Sequence, residues 1–321
     1  MTDELKLGQT AIDGVKPADD DLILWSVTTI NGILDKPALM YWSAEQTAMA
    51  AVNQQATWRG MLEDCDEACT HTSARECSAI KWLRDARYRR PKDLLSATDL
   101  GSAIHALCEE YALTGVRPDQ DRIEQEVREQ GGQTVKVDRE APVLVEMLNR
   151  FDEWLARAQP SYQATEVTVY SPTYGYAGTA DGFLTLDDGF RAIIDYKSSR
   201  EPRDSKGKPK RPYTEVSTQL AAYRWAESAA VWRPRRTEKF RRRYYALSPE
   251  EMALAVPVPE VDGGLCIHIT TEACEAYPVR CDEDVHRAFL YHIECARWVL
   301  HESSDAIGDP LVFPDRQAVA G

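Results

Sequence analysis

Gly178-Thr179-Ala180-Asp181-Gly182 and Ile193-Ile194-Asp195-Tyr196-Lys197-Ser198-Ser199 are two short, strand-like segments that carry two aspartates and a lysine. Between them lies Asp187-Asp188-Gly189, a turn signal flanked by β-rich runs, so the simplest local structure is a hairpin closed there. A turn centred on Asp188 sets Asp181, seven residues before it, directly opposite Asp195, seven residues after it. Opposed residues have Cβ atoms about 5 Å apart, and like charges so placed repel. Lys197 lies two residues beyond Asp195 and so shares its face of the strand. Two carboxylates and an ammonium then converge from apolar strands. A divalent cation would relieve the repulsion, and hard oxygen ligands suit Mg²⁺ or Mn²⁺. Taken alone, the same residues also fit a turn cap at Asp181 and a surface ion pair between Asp195 and Lys197.

Working outward, Ala164–Ser171 reads as a further strand with Glu166, Thr168 and Tyr170 on one face, so Glu166 could reach the same site. Upstream, Ser96-Ala97-Thr98-Asp99 caps a helix stopped by Gly115, with Leu100, Ile104, Leu107, Cys108 and Tyr111 as its apolar stripe and His105 at the border. Ala141–Ala158 is an amphipathic helix. Downstream, Glu215–Val231 reads as a helix that sets Gln219 and Tyr223 at i and i+4. Two or three strands follow between Arg241 and Cys281, and Asp282–His301 closes the chain as a helix. Helices are also expected between Ser26 and Asn53, with a Pro37 entry, and over Glu76–Tyr88. The predicted fold class is α/β, a mixed central sheet flanked by helices. Its parts are an arm over 1–20, an N-terminal helical region over 21–95, a core over 96–302 and a tail over 303–321.

The 321 residues carry a net charge of −14, which at first argues against a nucleic-acid partner. Distribution matters more than the sum. Lys81–Lys92 (KWLRDARYRRPK) holds six cations against one anion, Arg200–Tyr213 (REPRDSKGKPKRPY) six against two, and Arg233–Arg243 (RPRRTEKFRRR) seven against one. Such segregation favours an anionic partner steered to local patches. The first residues, MTDELKLGQT, carry no apolar core of a signal peptide, and no run approaches 18 apolar residues, so a cytoplasmic protein with no membrane partner is expected. Eight cysteines without a secretory signal read as reduced thiols. Cys65, Cys69 and Cys77 could ligate a metal, but C-x-x-C is missing, and Cys266, Cys274, Cys281 and Cys295 are irregularly spaced, so ordinary helix and strand cysteines are expected.

The series Gly101-x-x-x-His105, Glu166, Gly178-x-x-Asp181, Asp195-x-Lys197 and Gln219-x-x-x-Tyr223, in that order on helix, strand, strand, strand and helix, resembles the RecB-type exonucleases of the PD-(D/E)xK superfamily. Phage recombination exonucleases of the lambda type and CRISPR-associated exonucleases share this core, and SVTTINGILDKPALMYWSAE is similar to the start of phage-encoded members. The resemblance covers about residues 96–300 and implies a restriction-endonuclease-like core with DNA as substrate. It implies Asp181 and Asp195 as carboxylate ligands of Mg²⁺ or Mn²⁺, helped by the backbone carbonyl of Tyr196, with His105 as a further ligand and Glu166 as an accessory one. Lys197 would orient or deprotonate the attacking water, and Gln219 and Tyr223 would brace the site or touch the DNA backbone. Lys206, Lys208, Lys210, Arg211, Arg235, Arg236, Arg241 and Arg242 would contact phosphates, and Trp82, Tyr88 and Trp232 could stack on bases. Cluster-bearing relatives have one early cysteine and a close C-terminal trio. That pattern is not met here, so no iron–sulfur cluster is expected. The implied activity is DNA exonucleolysis in phage recombination, repair or replication, alongside a recombination or annealing protein. An inactive DNA-binding member of the fold, or an endonuclease, is the alternative.

Overall fold

The computed structural model describes residues 12–13, 17–34, 37–65, 69–88, 94–204, 206–231, 235–239 and 242–311. In chain order these form β1 (Ile12–Asp13), β2 (Leu22–Ser26), α1 (Val27–Asn31), α2 (Pro37–Asn53), α3 (Gln55–Glu63), α4 (Ser78–Arg84), α5 (Ala97–Thr114), α6 (Gln120–Gly131) and α7 (Val137–Ala158). There follow β3 (Ser161–Ser171), β4 (Tyr176–Thr185), β5 (Arg191–Ser199), α8 (Glu215–Arg224), β6 (Ser228–Ala229), β7 (Arg235–Lys239), β8 (Arg242–Leu247), α9 (Pro249–Ala253), β9 (Gly263–Thr270), β10 (Cys274–Val279) and α10 (Glu283–Arg297).

The strands join one mixed sheet in the order β1-β7-β8-β2-β4-β5-β9-β10, with β3 and β6 branching from β4. Its centre is the expected hairpin. Gly182 pairs with Ile194, Phe183 with Ile193 and Thr185 with Arg191, the register that sets Asp181 against Asp195. On its other side β5 pairs in parallel with β9 from Ala192 to Ser199. Strands covered on both faces read as continuous apolar runs, and Ile193 and Ile194 are both fully buried, on opposite sides. One face packs Ile194, Tyr196 and Leu184 against α5 and α7 through Leu100, Ile104, Leu144, Leu148 and Phe151. The opposite face packs Ile193, Phe183 and Ala180 against α1, α8 and α10 through Val27, Leu220 and Phe289. The α/β sheet with flanking helices is the arrangement of a restriction-endonuclease-like core.

Several elements depart from the sequence reading. Leu22–Ser26 is a strand, parallel to β4 and antiparallel to β8, and Ser26 caps the helix that follows it. Ile12–Asp13, in the expected arm, pairs with β7. The charged stretch around Glu124 forms α6, capped by Asp119 and buried through Ile123 and Val127. The helix from Glu215 ends at Arg224, because Ser228–Ala229 turns back to pair with β3. The third basic cluster contributes a further strand, β7, paired with the expected strand β8. Cys65, Cys69 and Cys77 are not scattered thiols but lie together with His71. Among the described residues, no helix is long and apolar enough to cross a membrane.

Candidate active site

Eight elements converge on one cleft of about 220 Å³ lined by His105, Glu166, Asp181, Asp195, Lys197, Gln219 and Tyr223, together with Ser26, Thr28, Thr179 and Tyr245. All seven side chains singled out as catalytic or metal-ligating from the sequence therefore face the same space. Lys197 Nζ lies 2.5 Å from Asp195 Oδ2. That contact pairs the ammonium directly with an oxygen of a buried carboxylate. Gln219 Nε2 donates to Asp195 Oδ1 at 2.8 Å and also reaches the Tyr223 hydroxyl at 3.3 Å. The i, i+4 pair on α8 thus fixes the Asp195 rotamer. Asp181 takes its own donor, the Tyr196 backbone N–H, 2.6 Å from Oδ2.

Burial raises both carboxyl pKa values above the usual range. Asp195 is pushed up to about 6, burial being opposed by Lys197 and reinforced by the Asp181 charge. Asp181 is raised by burial against the pull of Lys197 and its Tyr196 N–H bond. Lys197 also loses solvation, yet the Asp195 and Asp181 charges outweigh this and hold its pKa above the ordinary lysine value. It is a cation, suited to orienting water and attracting a phosphate oxygen rather than to taking a proton. The excess negative charge of two buried carboxylates facing one ammonium is the electrostatic signature of a cation site.

His105 supplies a second sign. The residue is half-buried, and desolvation, assisted by the Lys197 charge, lowers its pKa to about 4, so the ring is neutral. Its Nε2 is buried and has no hydrogen-bond partner. Buried polar atoms are nearly always satisfied, and a neutral imidazole nitrogen facing two aspartates is a ready metal donor. The ring is steadied by Tyr196, 5.7 Å away between centroids. The helix that carries it is pinned by a Ser96–Asp99 capping box and stopped by Gly115 at φ 66°.

Glu166 enters the site through a backbone irregularity. Thr165 pairs with Gly182 and Val167 with Ala180, so Glu166 falls beside Asp181, and its φ of 48° is a left-handed value in mid-strand. Such a conformation costs on the order of 1–3 kcal/mol for a non-glycine residue. Simple alternation with Thr168 and Tyr170 is therefore broken at this residue. Thr168 bonds the Thr179 hydroxyl at 3.0 Å, and Tyr170 belongs to a separate apolar cluster with Leu24 and Tyr245. Gly178 has a steric reason. A Cβ there would lie 2.3 Å from the Tyr223 ring and 3.1 Å from Val27, so only glycine lets Tyr223 and α1 close over β4.

The sequence reading missed Glu109 and the hydroxyl lip. Glu109 lies one helical turn after His105, accepts from Thr165 Oγ1 at 3.2 Å, and is raised in pKa by burial and then by the Asp181 charge. The i, i+4 spacing from His105 was the available signal. Ser26 and Thr28 stand at the start of a run that reads as helix, and Thr179 and Tyr245 read as ordinary strand residues, so none of the four is singled out by the sequence. Thr179 and Tyr245 join hydroxyls at 3.1 Å.

The basic clusters divide. Arg200 forms a buried pair with Glu140 at 2.5 Å, Arg203 pairs with Glu272 at 2.7 Å, and Lys210 lies 3.2 Å from Glu201. Lys206, Lys208 and Arg211 are exposed on the loop that leaves β5 two residues after Lys197. Arg235, Arg236 and Arg242 lie on β7 and β8, beside the strand position of Tyr245, but their side chains lie outside the described residues. Arg241, Trp232, and Arg89 to Lys92 of the first cluster lie outside the described residues altogether, as does the Tyr88 side chain.

None of the curated proteins compared with the chain matches it. The solved structure titled "Crystal structure of SSO0001" is 16% identical over 66% of this chain and 78% of its own, with a TM-score of 0.27, too low to bear on the fold. Residues 70–297 match the family profile described as the PD-(D/E)XK nuclease superfamily, a span that contains the whole cleft except Ser26, Val27 and Thr28. The chain belongs to the PD-(D/E)XK nuclease superfamily.

Proposed function

We propose that the protein is a Mg²⁺- or Mn²⁺-dependent deoxyribonuclease whose catalytic centre is the cleft between α5, β4, β5 and α8. The observation that carries the proposal is the meeting of Asp181, Asp195 and Lys197 with a neutral His105 whose Nε2 has no protein partner. Asp181, Asp195 and His105 would hold the metal, with Glu166 and the Tyr196 carbonyl as accessory ligands. When bound, the metal supplies charge neutralisation at the scissile phosphate and acidifies a water.

The chain's own groups do the remaining work. Lys197, kept cationic by its two aspartates, positions the water and stabilises negative charge on phosphorus oxygens. Gln219 and Tyr223 hold Asp195 in place. Thr28, Thr179 and Tyr245 offer neutral hydroxyls to a phosphodiester without adding charge. Lys206, Lys208 and Arg211, together with Arg235, Arg236, Arg241 and Arg242, would hold the strand by phosphate contacts indifferent to sequence.

The finer reading is exonucleolysis at DNA ends in phage recombination, repair or replication in a host cytoplasm, with an annealing protein as partner. It rests on the motif series and on the likeness of the N-terminal stretch to phage-encoded members. The test is incubation with end-labelled linear DNA and with closed circular DNA, each with Mg²⁺ or Mn²⁺. Mononucleotide or short products from linear DNA alone support exonucleolysis. Nicking of the circle makes the protein an endonuclease, and no cleavage of either defeats the proposal.

A further inference from the structure

Away from the cleft, Cys65, Cys69, His71 and Cys77 present one ligand atom each, all within 4.8 Å of one another. Cys65 Sγ and Cys77 Sγ are 3.8 Å apart, and His71 Nδ1 is 3.4 Å from both Cys69 Sγ and Cys77 Sγ. A tetrahedral ion with bonds of about 2.3 Å to sulfur and about 2.0–2.1 Å to nitrogen has edges of about 3.8 Å between sulfurs and about 3.5 Å between sulfur and nitrogen. The three distances match those edges. An iron–sulfur cluster spreads its four ligands over at least two iron atoms and so needs some pairs wider than 4.8 Å, whereas all four atoms here fit around one ion.

The surroundings need such a clamp. Among the described residues, none from 37 to 88 belongs to the apolar clusters on either face of the sheet or around Leu24 and Tyr245. In this stretch only Cys77, Ala79 and Ala86 are buried among the described residues, α3 buries none, and Met40, Tyr41, Met49 and Val52 are exposed. Helices with so little shared core are stabilised by a disulfide or a metal when they hold a defined arrangement. Cys65 directly follows the Asp64 cap of α3, and Cys77 is the residue before α4. His71, between them, sits at φ 53°, a left-handed backbone that turns its ring onto the sulfurs.

We propose that Cys65, Cys69, His71 and Cys77 form a structural Zn²⁺ site that ties α3 to α4 and orders the helical region preceding the nuclease core. On binding, three thiol protons are released, and Cys69 gives up its weak contact to the Glu76 carbonyl at 3.5 Å. The closed four-ligand set leaves no position for substrate, so the role is architectural. The α4 helix carries Lys81 and Arg84, and the metal would fix the position of that basic segment. The inference is independent of the nuclease reading.

The test uses the full chain, dialysed without added metal and titrated with Zn²⁺ against a chromophoric chelator, then reloaded with Co²⁺. About one zinc equivalent bound tightly, thiolate-to-cobalt charge transfer and the intense visible bands of a tetrahedral ion are expected. Asp195→Asn should keep this zinc, as should Cys295→Ser, which alters an exposed cysteine outside the cluster. Cys69→Ser with Cys77→Ser should weaken zinc binding by at least about a hundredfold. His71→Cys should retain the metal with an altered cobalt spectrum, which separates ligation from loss of fold. Zinc retained undiminished in the double cysteine variant would overturn the proposal. So would a metal-free protein carrying a Cys65–Cys77 disulfide, or iron–sulfur absorption in the anaerobically purified chain.

Discussion

Asp195→Asn should make the protein more stable in the absence of Mg²⁺ or Mn²⁺. In the folded chain Asp195 is raised from 3.8 to about 6, chiefly by burial, so ionising it at pH 7 costs the folded state about two pKa units, or roughly 3 kcal/mol. Asparagine keeps the shape and still accepts from Gln219 while carrying no charge to desolvate. The attraction of Lys197 is already contained in that shift, so its loss is not an additional cost. A raised carboxyl pKa means that the folded state binds more protons between about pH 4 and pH 6, and wild-type stability falls as pH rises through that window. The variant should therefore gain nothing at pH 4 and its full advantage above pH 6. At about 2 °C per kcal/mol for a chain of this size, the difference at pH 7 is about 6 °C in Tm. Thermal denaturation of wild type and variant side by side at pH 4 and pH 7 measures it. Added Mg²⁺ or Mn²⁺ should raise the wild-type Tm by mass action and leave the variant nearly unmoved. A variant less stable than wild type at pH 7, or a difference independent of pH, would refute the reasoning.

Four further outcomes are expected. His105→Ala should weaken Mg²⁺ or Mn²⁺ activation by roughly tenfold or more, read from the metal dependence of cleavage, because it removes a proposed ligand and not only a packed ring. Gly178→Ala should force Tyr223 aside and lower the cleavage rate with little change in DNA affinity, checked by rate and binding assays on the same variant. Replacing Lys206, Lys208 and Arg211 together by alanine should flatten the slope of log affinity against log salt by about 2–3 while sparing metal activation, as measured by DNA titration at several ionic strengths. Arg200→Ala should instead cost about 3–5 kcal/mol in urea denaturation, because it strands the fully buried Glu140 carboxylate.

The centre of the molecule was legible in the sequence because its signals are local and redundant. The Asp188 turn, the period of two on either side and the apolar Ile193-Ile194 run all point to one register, and β4 and β5 adopt it. The helix bearing His105 was equally readable, since the Ser96 box and Gly115 mark both ends. What failed to show depends on distant partners. Leu22–Ser26 is a strand only because β4 and β8 flank it, and β7 is a strand despite five residues, Arg235–Lys239, that include three cations. Glu166 lines the cleft through a left-handed backbone that no β pattern announces. The cysteine group was hidden by its uneven spacing and by His71, which no spacing rule couples to the thiols and which only the approach of α3 to α4 brings to them.

The central claim is that the cleft is a metal-dependent nuclease centre built on Asp181 and Asp195. Its most direct measurement is the rate of acid-soluble product release from linear duplex and single-stranded DNA by the wild type and by Asp181→Asn and Asp195→Asn, with Mg²⁺, with Mn²⁺ and with neither. The account predicts cleavage by the wild type only when one of the two ions is present, and loss of cleavage in both variants while DNA binding and thermal stability persist. Near wild-type cleavage by the two aspartate variants, or wild-type cleavage that ignores the divalent ion, would contradict it.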